Sequence, residues 1–107
     1  MEELRELYGV IRARRENPVE GSYTAYLFGK GLDKILKKVG EECAETLIAA
    51  KNGDPEEIKN ETADLLYHLL VMLEETGTGI EAVLSELRAR SAKQKNLKVM
   101  KIVDKNT

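Results

Sequence analysis

The sequence predicts an all-α fold, a bundle of four to five helices completed by dimerisation. Three observations carry this reading. Apolar residues recur at helical spacing in several separate stretches. Both prolines sit near helix starts or loops, and the glycines are scattered. The run Leu65-Leu66-Tyr67-His68-Leu69-Leu70-Val71-Met72-Leu73 is apolar on nearly every side. Such a helix needs neighbours all round, and a chain of 107 residues hardly supplies them.

The first helix is expected over residues 2 to 16, with a narrow stripe of Leu4, Leu7, Tyr8 and Ile11. Arg12, Arg14 and Arg15 suit its C-terminal end, and Asn17-Pro18 closes it. Ser22 to Phe28 reads as a short helix capped by Ser22, although Tyr, Thr and Phe also suit a strand. Gly29 and Gly31 are expected to stop it. Asp33 is then a candidate N-cap for a long helix ending near Asn52, with Ile35, Leu36, Val39, Cys43, Leu47 and Ala50 as its apolar members. A helical wheel at about 100° per residue sets Glu42 beside Ile35, Val39 and Ala49, at the edge of the buried stripe. Gly53 is the expected left-handed residue at its end.

Asp54-Pro55-Glu56-Glu57 restarts the chain: Asp54 caps, Pro55 takes the first helical position, and Glu57 completes a capping-box-like pattern. This helix runs to about Thr76, before Gly77, with Glu57, Glu61, Asp64, His68 and Val71 projecting the same way. Thr78 is expected to cap the last helix, with Glu81 three residues on. It carries Ile80, Val83, Leu84 and Leu87 inward, and Arg88, Arg90, Lys93 and Lys95 near its end. From about residue 97 to 107 the tail alternates only weakly and is expected to be irregular, within one domain over residues 1–107.

Composition narrows the function. The formal net charge of -2 gives no reason to expect a nucleic-acid partner. The single cysteine, Cys43, excludes an internal disulfide and a cysteine-rich zinc site, and fits a reducing cytoplasm. The N-terminus does not read as a signal peptide. The Leu65–Leu73 run is too short to span a bilayer, so no membrane partner is expected.

Two acidic clusters carry the chemistry. Glu42 and Glu45 are three residues apart, as are Glu61 and Asp64, so each pair shares a helix face. Like charges so placed repel, and Asp64 leads into the apolar run, where an unpaired carboxylate costs on the order of several kcal/mol. Antiparallel helices joined at Gly53-Asp54 bring the clusters together, with few well-placed cations around them. Four carboxylates make an all-oxygen cage suited to Mg²⁺ or Mn²⁺ rather than zinc. Such a site predicts a phosphate substrate bridged by metal, attacked by water. Glu41 is placed to orient or deprotonate that water, and Lys34, Lys38 and Lys51 to hold phosphate oxygens. The plainer alternative is a set of solvated helix faces. It weighs most for Glu41 and Glu57, and least for the two spaced pairs together. His68 reads as a satisfied core group or a support to the site rather than a ligand, and Cys43 as packing.

The stretch Ser22-Tyr23-Thr24-x-Tyr26-Leu27-Phe28-x-x-Gly31-x-x-Lys34-Ile35-x-Lys37-Lys38-x-Gly40-Glu41-Glu42-x-x-Glu45, followed by Glu61-x-x-Asp64-Leu65-Leu66-Tyr67-His68-Leu69-Leu70, resembles the phosphoribosyl-ATP pyrophosphohydrolase family of histidine biosynthesis. The bare acidic elements are shared with the wider MazG-type nucleotide pyrophosphohydrolases. Ser22-Tyr23-Thr24, Lys37-Lys38-x-Gly40 and Tyr67-His68 point to the histidine branch. The resemblance covers the first helix to about Arg90. It implies a Mg²⁺-dependent helical homodimer, or a higher homo-oligomer, in the cytoplasm. The implied reaction cleaves phosphoribosyl-ATP between its α- and β-phosphates to phosphoribosyl-AMP and pyrophosphate, the second step of the pathway. Carried over by motif, Glu42, Glu45, Glu61 and Asp64 are metal ligands, with Glu41, Glu42 and Glu45 at the catalytic centre. Lys34, Lys38, Lys51 and Asn52 contact phosphate or ribose. The resemblance also implies the stand-alone form, without a fused cyclohydrolase. Two rivals remain: a MazG-type hydrolase of another nucleoside triphosphate, and a non-catalytic helical dimerisation module.

Overall fold

The computed structural model describes residues 1–93, which form five α-helices and, among the described residues, no strand. They are α1 (Glu2–Glu16), α2 (Tyr23–Lys30), α3 (Leu32–Asn52), α4 (Pro55–Thr76) and α5 (Ile80–Lys93). The expectations for the tail from about residue 97, and for Lys95 near the end of the last helix, lie outside the described residues.

The helix ends show where local chemistry governs and where it does not. Ser22 caps α2 by accepting from the Ala25 N–H at 3.1 Å, which settles helix over strand. Gly29 does not stop this helix. It lies inside α2, where nothing forbids glycine, and the break falls at Gly31. Gly31 has φ 96° and ψ -174°, a region essentially closed to other residues. That bend starts α3 one residue before Asp33, so Asp33 sits in the first turn and is not the cap. Gly53 ends α3 in the left-handed region at φ 74°. The Asp54 side chain accepts from Glu56 N–H at 3.0 Å. That serves the second orphan donor, and no Glu57 return bond completes a capping box among the described residues. Thr78 is not the cap of α5: its hydroxyl pairs with that of Thr76 at 2.9 Å, and α5 begins at Ile80, after the positive-φ Gly79.

The core gathers Tyr8 and Ile11 of α1, Leu27 of α2, Ile35 of α3, Leu70 and Val71 of α4, and Ile80 and Leu84 of α5. Ile11, Leu27, Ile35 and Val71 are fully buried, each worth roughly 1.5–3 kcal/mol of transfer free energy. Polar ties fix the helices around them. Arg5 of α1 pairs with Glu81 of α5 at 2.7 Å. Tyr8 and Arg15 of α1 converge on Glu74 of α4 at 2.8 and 2.9 Å. Thr24 of α2 bonds the Tyr67 hydroxyl of α4.

Several apolar residues expected inside are exposed in the single chain. Leu47 of α3 is 72% exposed and Leu36 44%. Leu87 of α5 is exposed, and Cys43 is exposed rather than packed. The reason is geometric. Within one chain α3 packs chiefly on α4 and α2, so its Ile35–Glu42–Ala49 face turns inward and its Leu36–Cys43–Leu47 side turns out. Among the described residues no helix is long and apolar enough to cross a membrane.

Candidate active site

The two-residue link Gly53-Asp54 folds α4 back along α3. Thr46 of α3 sits at the middle of this hairpin. Its hydroxyl lies 2.7 Å from the carbonyl oxygen of Glu42 and 3.2 Å from that of Glu61 on α4. One shared proton thus sets the two helices at the height where their acidic turns meet. Glu42, Glu45 and Glu61 converge there, each with a carboxylate oxygen within 4.8 Å of the others.

The arrangement is poorly satisfied by protein alone. Oε2 of Glu42 and Oε2 of Glu61 are buried with no hydrogen-bond partner, a costly state for an ionised group. Glu45 beside it, then burial and the charges of Glu42 and Asp64, push the Glu61 carboxyl up to about 7. One cation reaches the cluster, in keeping with the expectation of few. Lys38 Nζ stands 3.4 Å from Glu41 Oε1 and 3.7 Å from Glu42 Oε1. Burial works against its ammonium form, but Tyr23, Glu41 and Glu42 outweigh this and raise its pKa. Lys38 serves the rim and leaves the inner oxygens bare. Those oxygens fit a hard divalent cation.

Asp64 is exposed and lies outside this group of three. Its charge still bears on Glu61, and its backbone carbonyl accepts from Nδ1 of His68 at 2.8 Å. The other ring nitrogen, Nε2, accepts from the Tyr23 hydroxyl at 3.0 Å. His68 is therefore a buried, fully bonded histidine. Glu41 is half-exposed at the rim beside Lys38. Lys34 is half-buried near the start of α3, and Lys51 and Asn52 are exposed in its last turn. At 1.5 Å per residue, Lys34 and Lys51 lie about 12 and 13.5 Å along the axis from Glu42. Of these three lysines only Lys38 touches the acids. Sequence reasoning missed Thr46 and the Tyr23–His68 bond. A threonine one turn beyond Glu42 was the available signal, since Thr often bonds back to the i-4 carbonyl.

The arrangement can bind a divalent cation at its inner oxygens and an anion at its lysine rim. A family model described as phosphoribosyl-ATP pyrophosphohydrolase matches residues 4–91. The chain is 63% identical over 94 residues to a Streptococcus thermophilus protein named phosphoribosyl-ATP pyrophosphatase, covering 88% of this chain and 90% of that one. A Streptococcus sanguinis protein of the same name is 58% identical, with the same coverage of 88% and 90%. One from Listeria welshimeri, so named, is 52% identical over 101 residues, 94% of this chain and 97% of its own.

Proposed function

The chain belongs to the phosphoribosyl-ATP pyrophosphohydrolase family, and from that premise we propose how its acidic site works. The protein is a hydrolase that converts phosphoribosyl-ATP to phosphoribosyl-AMP and pyrophosphate in histidine biosynthesis. Glu42, Glu45 and Glu61, with Asp64 at the exposed edge, would hold the divalent ion. When bound there, Mg²⁺ or Mn²⁺ would supply charge neutralisation for the leaving pyrophosphate and polarise the attacking water. Glu41, at the rim, accepts the proton of that water. Lys38 gives up part of its contact with Glu41 to a phosphate oxygen, so the anion is held without leaving a bare ammonium. Lys34, Lys51 and Asn52 contact the more distant phosphates and ribose.

The observation that carries this is the convergence of three carboxylates from two helices with two buried oxygens unpartnered. The metal-free chain has no reason to keep such a cluster for stability. We read residues 1–107 as one domain working in the cytoplasm as a homodimer or larger homo-oligomer. Leu36, Leu47 and Ile48 of α3 and Leu66 of α4 are exposed, and pairing with a second copy covers them.

The test is turnover of phosphoribosyl-ATP with and without Mg²⁺, against a panel of ordinary and modified nucleoside triphosphates. The expected result is Mg²⁺-dependent turnover with phosphoribosyl-ATP preferred. Glu42→Gln and Asp64→Ala should each lower kcat by at least about a hundredfold in a folded protein. A near-normal rate in either variant removes that residue from the mechanism.

A further inference from the structure

Beside the acidic cluster stands an aromatic ladder that the mechanism above does not use. Tyr23 and Tyr26, one turn apart on α2, have ring centroids 6.1 Å apart at 22°. Tyr23 also lies against Tyr67 of α4 at 6.1 Å and 28°. His68 meets the edges of both Tyr23 and Tyr67. The ladder begins half-buried at Tyr67 and ends in the open, with Tyr23 45% and Tyr26 46% exposed.

Two features separate this from ordinary surface tyrosines. The Tyr23 ring is locked, because its hydroxyl donates to the buried His68 and its face rests on Tyr67. Tyr23 is stacked with both Tyr67 and Tyr26, so this end of the ladder needs little ordering when something stacks on it. The exposed end also borders an open hollow of about 610 Å³, lined mainly by Pro18, Val19, Ser22, Ala25 and the two tyrosines. Tyr23 links this hollow to the acidic turn of α4: its hydroxyl donates to His68 Nε2, and His68 Nδ1 donates to the Asp64 carbonyl. A ligand with its phosphates at the acidic rim therefore extends naturally over the ladder. Lys30 Nζ stands over the Tyr26 ring, 5.8 Å from its centre, and a base stacking there takes the place of this flexible side chain.

We propose that the exposed Tyr23–Tyr26 face is a stacking subsite for the purine ring of the nucleotide, with His68 as the positioning residue that holds Tyr23 in place. This assignment rests on the hydrolase reading above. Purine stacking on an aromatic ring tolerates many substituents, so the subsite fixes where the base lies rather than which base it is.

Tyr26 is the residue to change, because its hydroxyl takes no part in the bonds to His68 or Tyr67. Tyr26→Ala should raise KM for phosphoribosyl-ATP by about five- to 150-fold while kcat stays within a few-fold. Tyr26→Phe should restore the wild-type KM, since it keeps the ring. Pyrophosphate, which reaches only the phosphate end, should inhibit Tyr26→Ala as well as it inhibits wild type. AMP added to the full-length protein should move the NMR ring signals of Tyr23 and Tyr26 before those of Tyr8, with no turnover needed. An unchanged KM in Tyr26→Ala, failure of Phe to rescue, equal weakening of pyrophosphate inhibition, or AMP shifts away from α2 would each overturn the proposal. If wild type does not turn over phosphoribosyl-ATP, the hydrolase reading fails by itself, and the AMP shifts still decide whether the tyrosines stack a base.

Discussion

At Glu61 one carboxylate oxygen is buried without a partner, and Glu45, Glu42 and Asp64 all bear on it. Removing that charge relieves repulsion in the metal-free protein and, on the metal site proposed above, removes a ligand. Glu61→Gln should therefore melt at or above the wild-type temperature without metal, yet lose the rise that Mg²⁺ gives wild type. Thermal melts with and without Mg²⁺ check both halves, and a destabilised metal-free Glu61→Gln would mean that the cluster is not strained. Glu74 shows the opposite design. Burial works to raise its pKa, but hydrogen bonds from Arg15 and Tyr8 win and hold it below the ordinary carboxylate value. A lowered carboxylate pKa contributes stability that is present above the unfolded value and is lost as pH falls through the folded one. Tyr8 is pushed up to about 12 by burial and by Glu74. Its contribution is present below the ordinary tyrosine pKa and is lost as pH rises from about 10 to 12. Glu74→Gln should cost about 1–3 kcal/mol at neutral pH and flatten the acid limb, read by urea unfolding across pH. The sequence made Glu42 legible as a stripe-edge carboxylate. It could not reveal the Glu74 ties, because the partners lie 59 and 66 residues away.

Between helices, the glycines at two junctions do different work. Gly53 takes the ordinary left-handed conformation at φ 74°, which a residue with a Cβ adopts at a cost of roughly 1–2 kcal/mol. Gly31 lies at φ 96° and ψ -174°, where other residues rarely go. Nothing lies within 4 Å of a Cβ built at either glycine, so the cost is backbone strain alone. Gly31→Ala should therefore destabilise more than Gly53→Ala, by about 3 kcal/mol against about 1–2, as measured by chemical unfolding. Equal effects would show that the α2–α3 bend relaxes freely. The end of α3 and both ends of α4 are readable because Gly, Asp and Pro act through their own backbone. The starts of α3 and α5 were misassigned because Asp33 and Thr78 have the right chemistry one or two residues from where the chain turns.

At the scale of the molecule, α3 and α4 leave a set of apolar residues exposed among the described residues. Leu47 at 72% and Ile48 at 60% exposure are not explained by anything within one chain. With the oligomer proposed above, Leu47→Asp should shift sedimentation toward monomer and lower the melting temperature, and wild-type melting should depend on protein concentration. An unchanged, concentration-independent monomer in wild type would remove the oligomer from the picture.

The sequence by itself determined that the chain is helical, roughly where each helix runs, and that Glu42, Glu45, Glu61 and Asp64 fall on shared faces. Those properties follow from periodicity and from residues that act on their own backbone. Only the tertiary structure decided that Glu42, Glu45 and Glu61 meet while Asp64 stands at the edge, that His68 is fully bonded, and that the tyrosines of α2 form an open ladder. Each depends on the height and rotation of one helix against another, which side-chain ties such as Thr46 and Tyr23 set across long stretches of chain.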